Sequence, residues 1–270
     1  MSAPASRGPR GAAVVSDPIP APRSVRFDAP WDWLAAGWRD IWRAPGVSLV
    51  YGVAVAAASW LLFLGLLQIE ALALVLALAG GFLLLGPMLA VGLYQISRQL
   101  EAGLTVRFTD VFLPAQHSRG QLAFFGVLLL LFFSAWVRFA SLLASIFLGG
   151  MSLPPLRDFV QTLLFTTEGL SLMIVGTALG AMLAVVVFAF SAFSVPMLID
   201  KRTDVFTAAR ASVAAVVANP RPMGLWAALI VVMIGAGVAT AFAGLVIAFP
   251  LIGHATWHAY RDVFGGGERS

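Results

Sequence analysis

Apolar residues fill positions 47–67, 71–93, 120–148, 170–199 and 223–252, and short polar connections separate them. Each run supplies the roughly 20 apolar residues that a membrane-spanning helix needs. The last run decides the count. From Pro222 to Tyr260 there are 39 residues; as one helix they would reach about 58 Å at 1.5 Å per residue, nearly twice a hydrocarbon core of about 30 Å. Gly235, Gly237 and Gly244 supply a tight turn that splits the run in two. Spacing points the same way. Gly81, Pro87, Tyr94 and Arg98 recur at the same intervals as Gly244, Pro250, Trp257 and Arg261. The predicted fold is therefore all-α, with six transmembrane helices at 47–67, 70–97, 120–148, 170–199, 223–240 and 243–260, arranged as three hairpins with short interfacial helices.

Charge fixes the orientation. Arg7, Arg10, Arg23, Arg26, Arg39 and Arg43 precede the first span. Arg98, Arg107 and Arg119 lie between the second and third, Lys201, Arg202, Arg210 and Arg221 between the fourth and fifth, and Arg261 and Arg269 close the chain. The intervening connections hold Arg157 alone, and the turn near Gln68–Glu70 holds none. Lys and Arg are retained on the cytoplasmic side, so both termini are expected in the cytoplasm.

At about 100° per residue, Trp31, Leu34, Trp38, Ile41 and Trp42 fall on one stripe of a helix over 31–44, with Asp32, Arg39, Asp40 and Arg43 opposite. This is the pattern of a helix lying at headgroup depth. A weaker version over 204–218 places Val205, Ala209, Val213 and Val216 together. Thr-Asp-Val-Phe occurs at 109–112 and again at 203–206, and Trp31-Asp32-Trp33-Leu34 stands in the equivalent place before span one. Spans two, four and six carry Pro87, Pro196 and Pro250, which remove backbone hydrogen bonds and are expected to kink them. The unit read here is surface helix, span in, kinked span back, used three times. Six prolines among the first thirty residues predict a disordered tail over 1–28. Residues 29–262 are then the membrane domain and 263–270 a flexible end.

Composition agrees: hydrophobic residues make up 60% of the chain and charged residues 11%, against about a quarter charged in soluble domains. The net charge of +4 follows from topology and gives no sign of nucleic-acid binding; membrane lipids are the expected partners of the basic loops. The absence of cysteine removes disulfides, thiolate metal sites and S-acylation.

Candidate chemistry is sparse. His254 and His258 are four apart, share a helical face and are weak candidates for a metal, although Ala255 stands where a metalloprotease helix needs Glu. The alternative places both rings in the cytoplasmic aromatic belt with Trp257 and Tyr260. Arg138 is the one charge inside a predicted span. About eighteen residues, or roughly 27 Å, separate it from the cytoplasmic end, so it reaches the outer headgroups, with Glu168 or Asp158 as a partner. Gly176 and Gly180 form a close-packing motif. No phosphate-cradling glycine loop or nucleophile motif occurs, no Asp, Glu or His occupies a span centre, and no enzyme activity or cofactor is expected. Tyr94, Arg98, Glu101, His254, Trp257, His258 and Arg261 gather at the cytoplasmic ends of spans two and six.

Four segments carry a family resemblance: Gly37-Trp38-Arg39-Asp40 before Ala44-Pro45; Gly86-Pro87 with Gly92 to Arg98 and Glu101-Ala102-Gly103; Ala218-Asn219-Pro220 with Pro222-Met223; and Gly253 to His258. Over about residues 30–262 the chain resembles a mainly alphaproteobacterial family of predicted integral membrane proteins (domain of unknown function 2189). The resemblance implies an inner-membrane protein with several spans and supplies no catalytic residues. Some family members are labelled cytochrome c oxidase subunit one, but the histidines for two haems and copper are missing here.

The function expected is a non-enzymatic accessory or scaffold component of a membrane complex, in contact with other membrane proteins. A small-solute transporter or channel built on the kinked helices is the rival, and a metal or haem binder at His254/His258 the third reading.

Overall fold

A computed structural model describes residues 19–68, 74–108, 118–148 and 156–265, and among them the chain is helical throughout with no strand. In order the elements are α1 (Ala29–Arg43), α2 (Pro45–Gln68), α3 (Leu74–Leu89), α4 (Val91–Glu101), α5 (Arg119–Phe147) and α6 (Leu156–Phe165). They continue with α7 (Thr167–Ser191), α8 (Ser194–Asp200), α9 (Val205–Ala218), α10 (Pro220–Ala239) and α11 (Leu245–Phe264). Five stretches are long and apolar enough to cross a membrane: Pro45–Gln68, Gly80–Glu101, Arg119–Phe147, Thr167–Asp200 and Pro220–Ala239. The predicted sixth, α11, is not among them, because His254, Thr256, His258, Tyr260, Arg261 and Asp262 crowd its second half.

Helix α11 is nevertheless the hub. It packs against α1, α2, α4, α8 and α10, whereas α5 packs mainly on α3 and α7, and α7 on α5, α6 and α9. It runs antiparallel to α10: Trp33 touches both Trp226 near the start of α10, at 5.8 Å between rings, and Asp262 near the end of α11. Two close approaches set this packing. A methyl group at Gly37 would stand 2.7 Å from the backbone nitrogen of Ala255, and one at Gly52 would overlap the carbonyl oxygen of Val246. That oxygen is free of its helical partner because Pro250, four residues on, has no N–H. The proline vacates a carbonyl, and α2 closes on it through a residue without a side chain.

The other two prolines also sit beside helix discontinuities, and neighbouring helices satisfy the groups exposed there, as the bilayer interior requires. Pro87 precedes the break between α3 and α4, where the Tyr51 hydroxyl of α2 donates to the Leu89 carbonyl at 2.5 Å. Pro196 lies in the first turn of α8, where a missing N–H costs no intrahelical bond. Ser212 of α9 bridges the adjoining break, accepting from Phe193 N at 3.1 Å and donating to Ala189 O at 2.7 Å. Helix α11, by contrast, runs through Pro250 as one element.

The surface helices form but face differently from the expected stripes. Trp31, Trp38 and Trp42 are exposed, while Ile41 and Asp40 are buried with Trp33 against the bundle. The approach at Gly37 turns this face of α1 toward α11, so Asp40, expected in water, points inward. In α9, Val205 and Ala209 face the protein and Phe206, Arg210 and Val217 face out. The second Thr-Asp-Val-Phe is a helix start: Asp204 accepts from Thr207 N at 3.0 Å and caps α9. Asp32 is not its equivalent, since α1 begins at Ala29, after Asp28 at the N-cap position, and Asp32 lies one turn inside. The copy at 109–112 lies outside the described residues. A repeat signature appears instead at two corners. Ala44 between α1 and α2 (φ −134°, ψ 57°) and Asn219 between α9 and α10 (φ −127°, ψ 52°) have nearly the same backbone and are each followed by proline.

Residues 1–18 of the expected tail are outside the description. Residues 19–28 are held down: Arg23 N donates to Val263 O at 3.0 Å, Val25 N donates to Asn219 Oδ1 at 2.9 Å, and Asn219 Nδ2 donates to Arg23 O at 2.9 Å. Val263 and Phe264, expected in the flexible end, are buried in α11. In the Gly176/Gly180 motif, only Gly180 meets a neighbour, Trp136 of α5.

Gly52→Ala is expected to force α2 off α11 and cost about 3 kcal/mol, the upper range for overpacking, seen as a lowered thermal midpoint in detergent. Gly46→Ala, with open space around it, should leave the midpoint unchanged.

Candidate functional site: a polar collar around the last helix

Carboxylates from three helices close on α11. Asp40 of α1 takes His258 Nε2 at 2.7 Å. Glu101 of α4 takes Trp257 Nε1 at 3.0 Å and Arg261 Nε at 2.9 Å. Asp200 of α8 takes the Tyr260 hydroxyl at 2.8 Å, with Arg261 Nη1 at 3.8 Å and Arg98 Nε at 4.0 Å. Asp262 of α11 returns the contact, accepting from Trp33 Nε1 at 3.0 Å. Consecutive residues on α11 point different ways, so acids arriving from different sides each find a donor in the 257–261 segment. Each carboxylate stands in the last turn of its helix, and there α11 supplies the cations or N–H groups that offset its charge.

Behind the collar lies a buried relay. His254 is 0% exposed, as are the two serines on its ring nitrogens. Ser48 Oγ of α2 lies 3.0 Å from Nε2, and Ser97 Oγ of α4 lies 2.8 Å from Nδ1. Ser97 also donates to Asp40 Oδ2 at 2.7 Å. The proton positions follow from donor counting. An ionised Asp40 only accepts, so the single proton of Ser97 goes to it. Ser97 must then accept from His254 Nδ1–H. A neutral imidazole leaves Nε2 bare, and Ser48 donates to it. The chain runs Ser48 → His254 → Ser97 → Asp40, and His258 donates to Asp40 from the other side. His258, 27% exposed, is its link to the surface.

Asp40 is kept ionised although it is 3% exposed. Burial pushes its pKa up, but the hydrogen bond and charge of His258 and the Ser97 hydrogen bond outweigh this, and the net shift is downward. At the rim, Asp204 is also lowered, chiefly by its hydrogen bonds to the Thr207 side chain and backbone.

Of the residues singled out from sequence, the fold brings Arg98, Glu101, Trp257 and Arg261 into one cluster. Tyr94 is buried beside them with its hydroxyl at Thr256. His254 and His258 share the relay, where Ser48 and Ser97 engage both ring nitrogens of His254 and Asp40 engages His258 Nε2. Among the described residues, no group of three or more His, Asp or Glu side chains is arranged to hold a metal. Arg138 lies apart, exposed on α5. Among the described residues it makes no ion pair with Glu168, and the Asp158 side chain and His117 are outside the description. Sequence reasoning missed Asp40, Ser48, Ser97, Asp200 and Asn219. The available signal was the i, i+4 histidine pair, which predicts a polar stripe on α11 and hence polar groups facing it.

Residues 74–200, α3 to α8, match the family model described as "Predicted integral membrane protein (DUF2189)", the family whose likeness the sequence carried. The match lies within the expected 30–262; it contains Ser97, Arg98, Glu101 and Asp200, and α1 and α11 fall outside it. No curated protein and no solved structure matches the chain. The chain is a multi-pass integral membrane protein with an all-α fold.

Asp40→Ala leaves His258 and Ser97 without their acceptor and should destabilise the protein by about 3 kcal/mol, the scale for breaking a buried pair. Because the pKa of Asp40 is lowered on folding, its contribution is complete above the ordinary aspartate value of 3.8 and is lost as pH falls through the lower folded value. The gap in thermal midpoint between wild type and Asp40→Asn should therefore stay constant at neutral pH and close only at strongly acid pH.

Proposed function

We propose that this chain is a non-enzymatic scaffold or accessory component of a bacterial inner-membrane complex, crossing the membrane six times with both termini in the cytoplasm. The observation that carries the reading is the contrast between its two sides. Around α11, three carboxylates and the relay lock α1, α2, α4 and α8 into a fixed base. On the far side, α5 and α7 leave most of their apolar surface uncovered, with Leu130, Leu131, Ile174, Met182 and Val185 exposed. A rigid base with open helical flanks suits a protein that holds neighbours in the bilayer.

Six crossings are supported by α11 itself. A helix wrapped by its own protein needs less hydropathy than one facing lipid, since its polar groups meet partners rather than hydrocarbon. Arg138 stands nineteen residues beyond Arg119, about 28 Å along α5, which suits the outer headgroup level.

The transporter reading needs freed carbonyls that line water. Those at Leu89 and Ala189 are taken by Tyr51 and Ser212. Outward of Pro87 and Pro250 lies a cavity of about 80 Å³ lined by Leu62, Phe63, Leu66, Phe82, Ile234 and Leu245 among others, too apolar for a hydrated path. An enzyme reading would make Ser48 the nucleophile, but Ser48 is fully buried.

Isolation from native membranes in mild detergent, followed by mass spectrometry, should recover a reproducible membrane-protein partner; a chain that always purifies alone sinks the scaffold reading. Cytoplasmic reporters fused at residue 270 should be active, and activity confined to the periplasm would refute six crossings.

A further inference from the structure

We propose that α1 carries a binding site for anionic phospholipid, in which Arg39 and Arg43 hold the headgroup phosphate and Trp38 and Trp42 seat the glycerol and upper acyl chains. The site is independent of the scaffold reading. It follows from how α11 orients α1. With Trp33, Gly37, Asp40 and Ile41 turned into the bundle, the outward face is fixed. At about 100° per residue, Trp31, Trp38 and Trp42 share an arc of about 40°, and Arg39 and Arg43 follow on its flank, about 60° to 100° from Trp42. The indoles are 56%, 43% and 59% exposed, and Trp38 and Trp42 stand edge to face with centroids 5.6 Å apart.

Two further observations name lipid as the occupant. Helix α2 begins at Pro45, two residues after α1 ends, so α1 is tied to the level where a span enters the bilayer. Charge complementarity supplies the second. Arg98 and Arg261 face Asp200 and Glu101, and Arg26 faces Asp28 and Asp32. Among the described residues, no ion pair engages Arg39 or Arg43. Two arginines one turn apart, beside indoles that prefer the interface, match a phosphate diester at headgroup depth.

The full chain, purified in mild detergent, is titrated with an equimolar mixture of phosphatidylglycerol and phosphatidylcholine, and bound lipid is counted by native mass spectrometry. Wild type should favour phosphatidylglycerol. Each arginine near an anionic surface contributes about five-fold, so Arg39→Gln/Arg43→Gln should lose about ten-fold or more of that preference, with an unchanged thermal midpoint because both side chains are exposed. Arg221→Gln, which removes a charge elsewhere at the same end, should keep it. Millimolar inorganic phosphate should leave the bound lipid in place. The proposal is overturned if wild type shows no preference, if the double variant keeps it, if Arg221→Gln loses as much, or if inorganic phosphate displaces the lipid.

Discussion

The structure depends on the requirement that polar groups inside a bilayer find partners within the protein. Helix α11 crowds six polar side chains between His254 and Asp262, and it is stable where it is because carboxylates from α1, α4 and α8 converge on it. Asp40, Glu101 and Asp200 come from different parts of the chain, yet each ends on a residue of the 257–261 segment. Remove α11 and Glu101 loses its donors, Asp40 keeps only Ser97 and Asp200 only the more distant Arg98; remove the acids and the donors of α11 lose their acceptors. The two halves of the arrangement make sense only together, and that mutual need is what closes the helices into one bundle.

The same requirement explains the prolines. A proline inside a membrane helix frees a carbonyl, and one in the first turn of a helix does not; the surroundings of the three prolines differ accordingly. A tyrosine hydroxyl reaches the break after Pro87, a serine bridges the break before Pro196, and at Pro250 a glycine lets α2 close on the vacated oxygen. The buried relay is related in kind. Its hydrogen bonds have a single consistent direction, from Ser48 through His254 and Ser97 to Asp40, and such a fully satisfied network specifies one arrangement of α1, α2, α4 and α11.

Much of this was legible in the amino-acid order. Five of the six expected spans were, because a hydrocarbon core demands about 20 apolar residues and tolerates few charges. So was the gathering of Arg98, Glu101, Trp257 and Arg261, since equal spacing from Pro87 and Pro250 placed them at one level. The orientation of α1 was not. Its hydrophobic stripe put Asp40 in water, because periodicity treats every apolar residue as lipid-seeking. Gly37, which contributes nothing to a hydrophobic pattern, decided the matter by letting α11 come close on that side. Residues 19–28 were misjudged for a similar reason: proline content suggested disorder, while Asn219, nearly two hundred residues away, supplied the hydrogen bonds that hold the backbone.

By itself, then, the sequence determined the solvent: its apolar lengths state that the chain crosses a bilayer, because they are one-dimensional properties of each segment. Which helix became the centre was settled only by the fold. Burial of α11, the pairing of Asp40 with His258 and the coupling of His254 to two serines all join residues distant in the chain. No periodicity records such meetings, since they arise from the shape complementarity of helices and from the cost of leaving any one polar group unpaired.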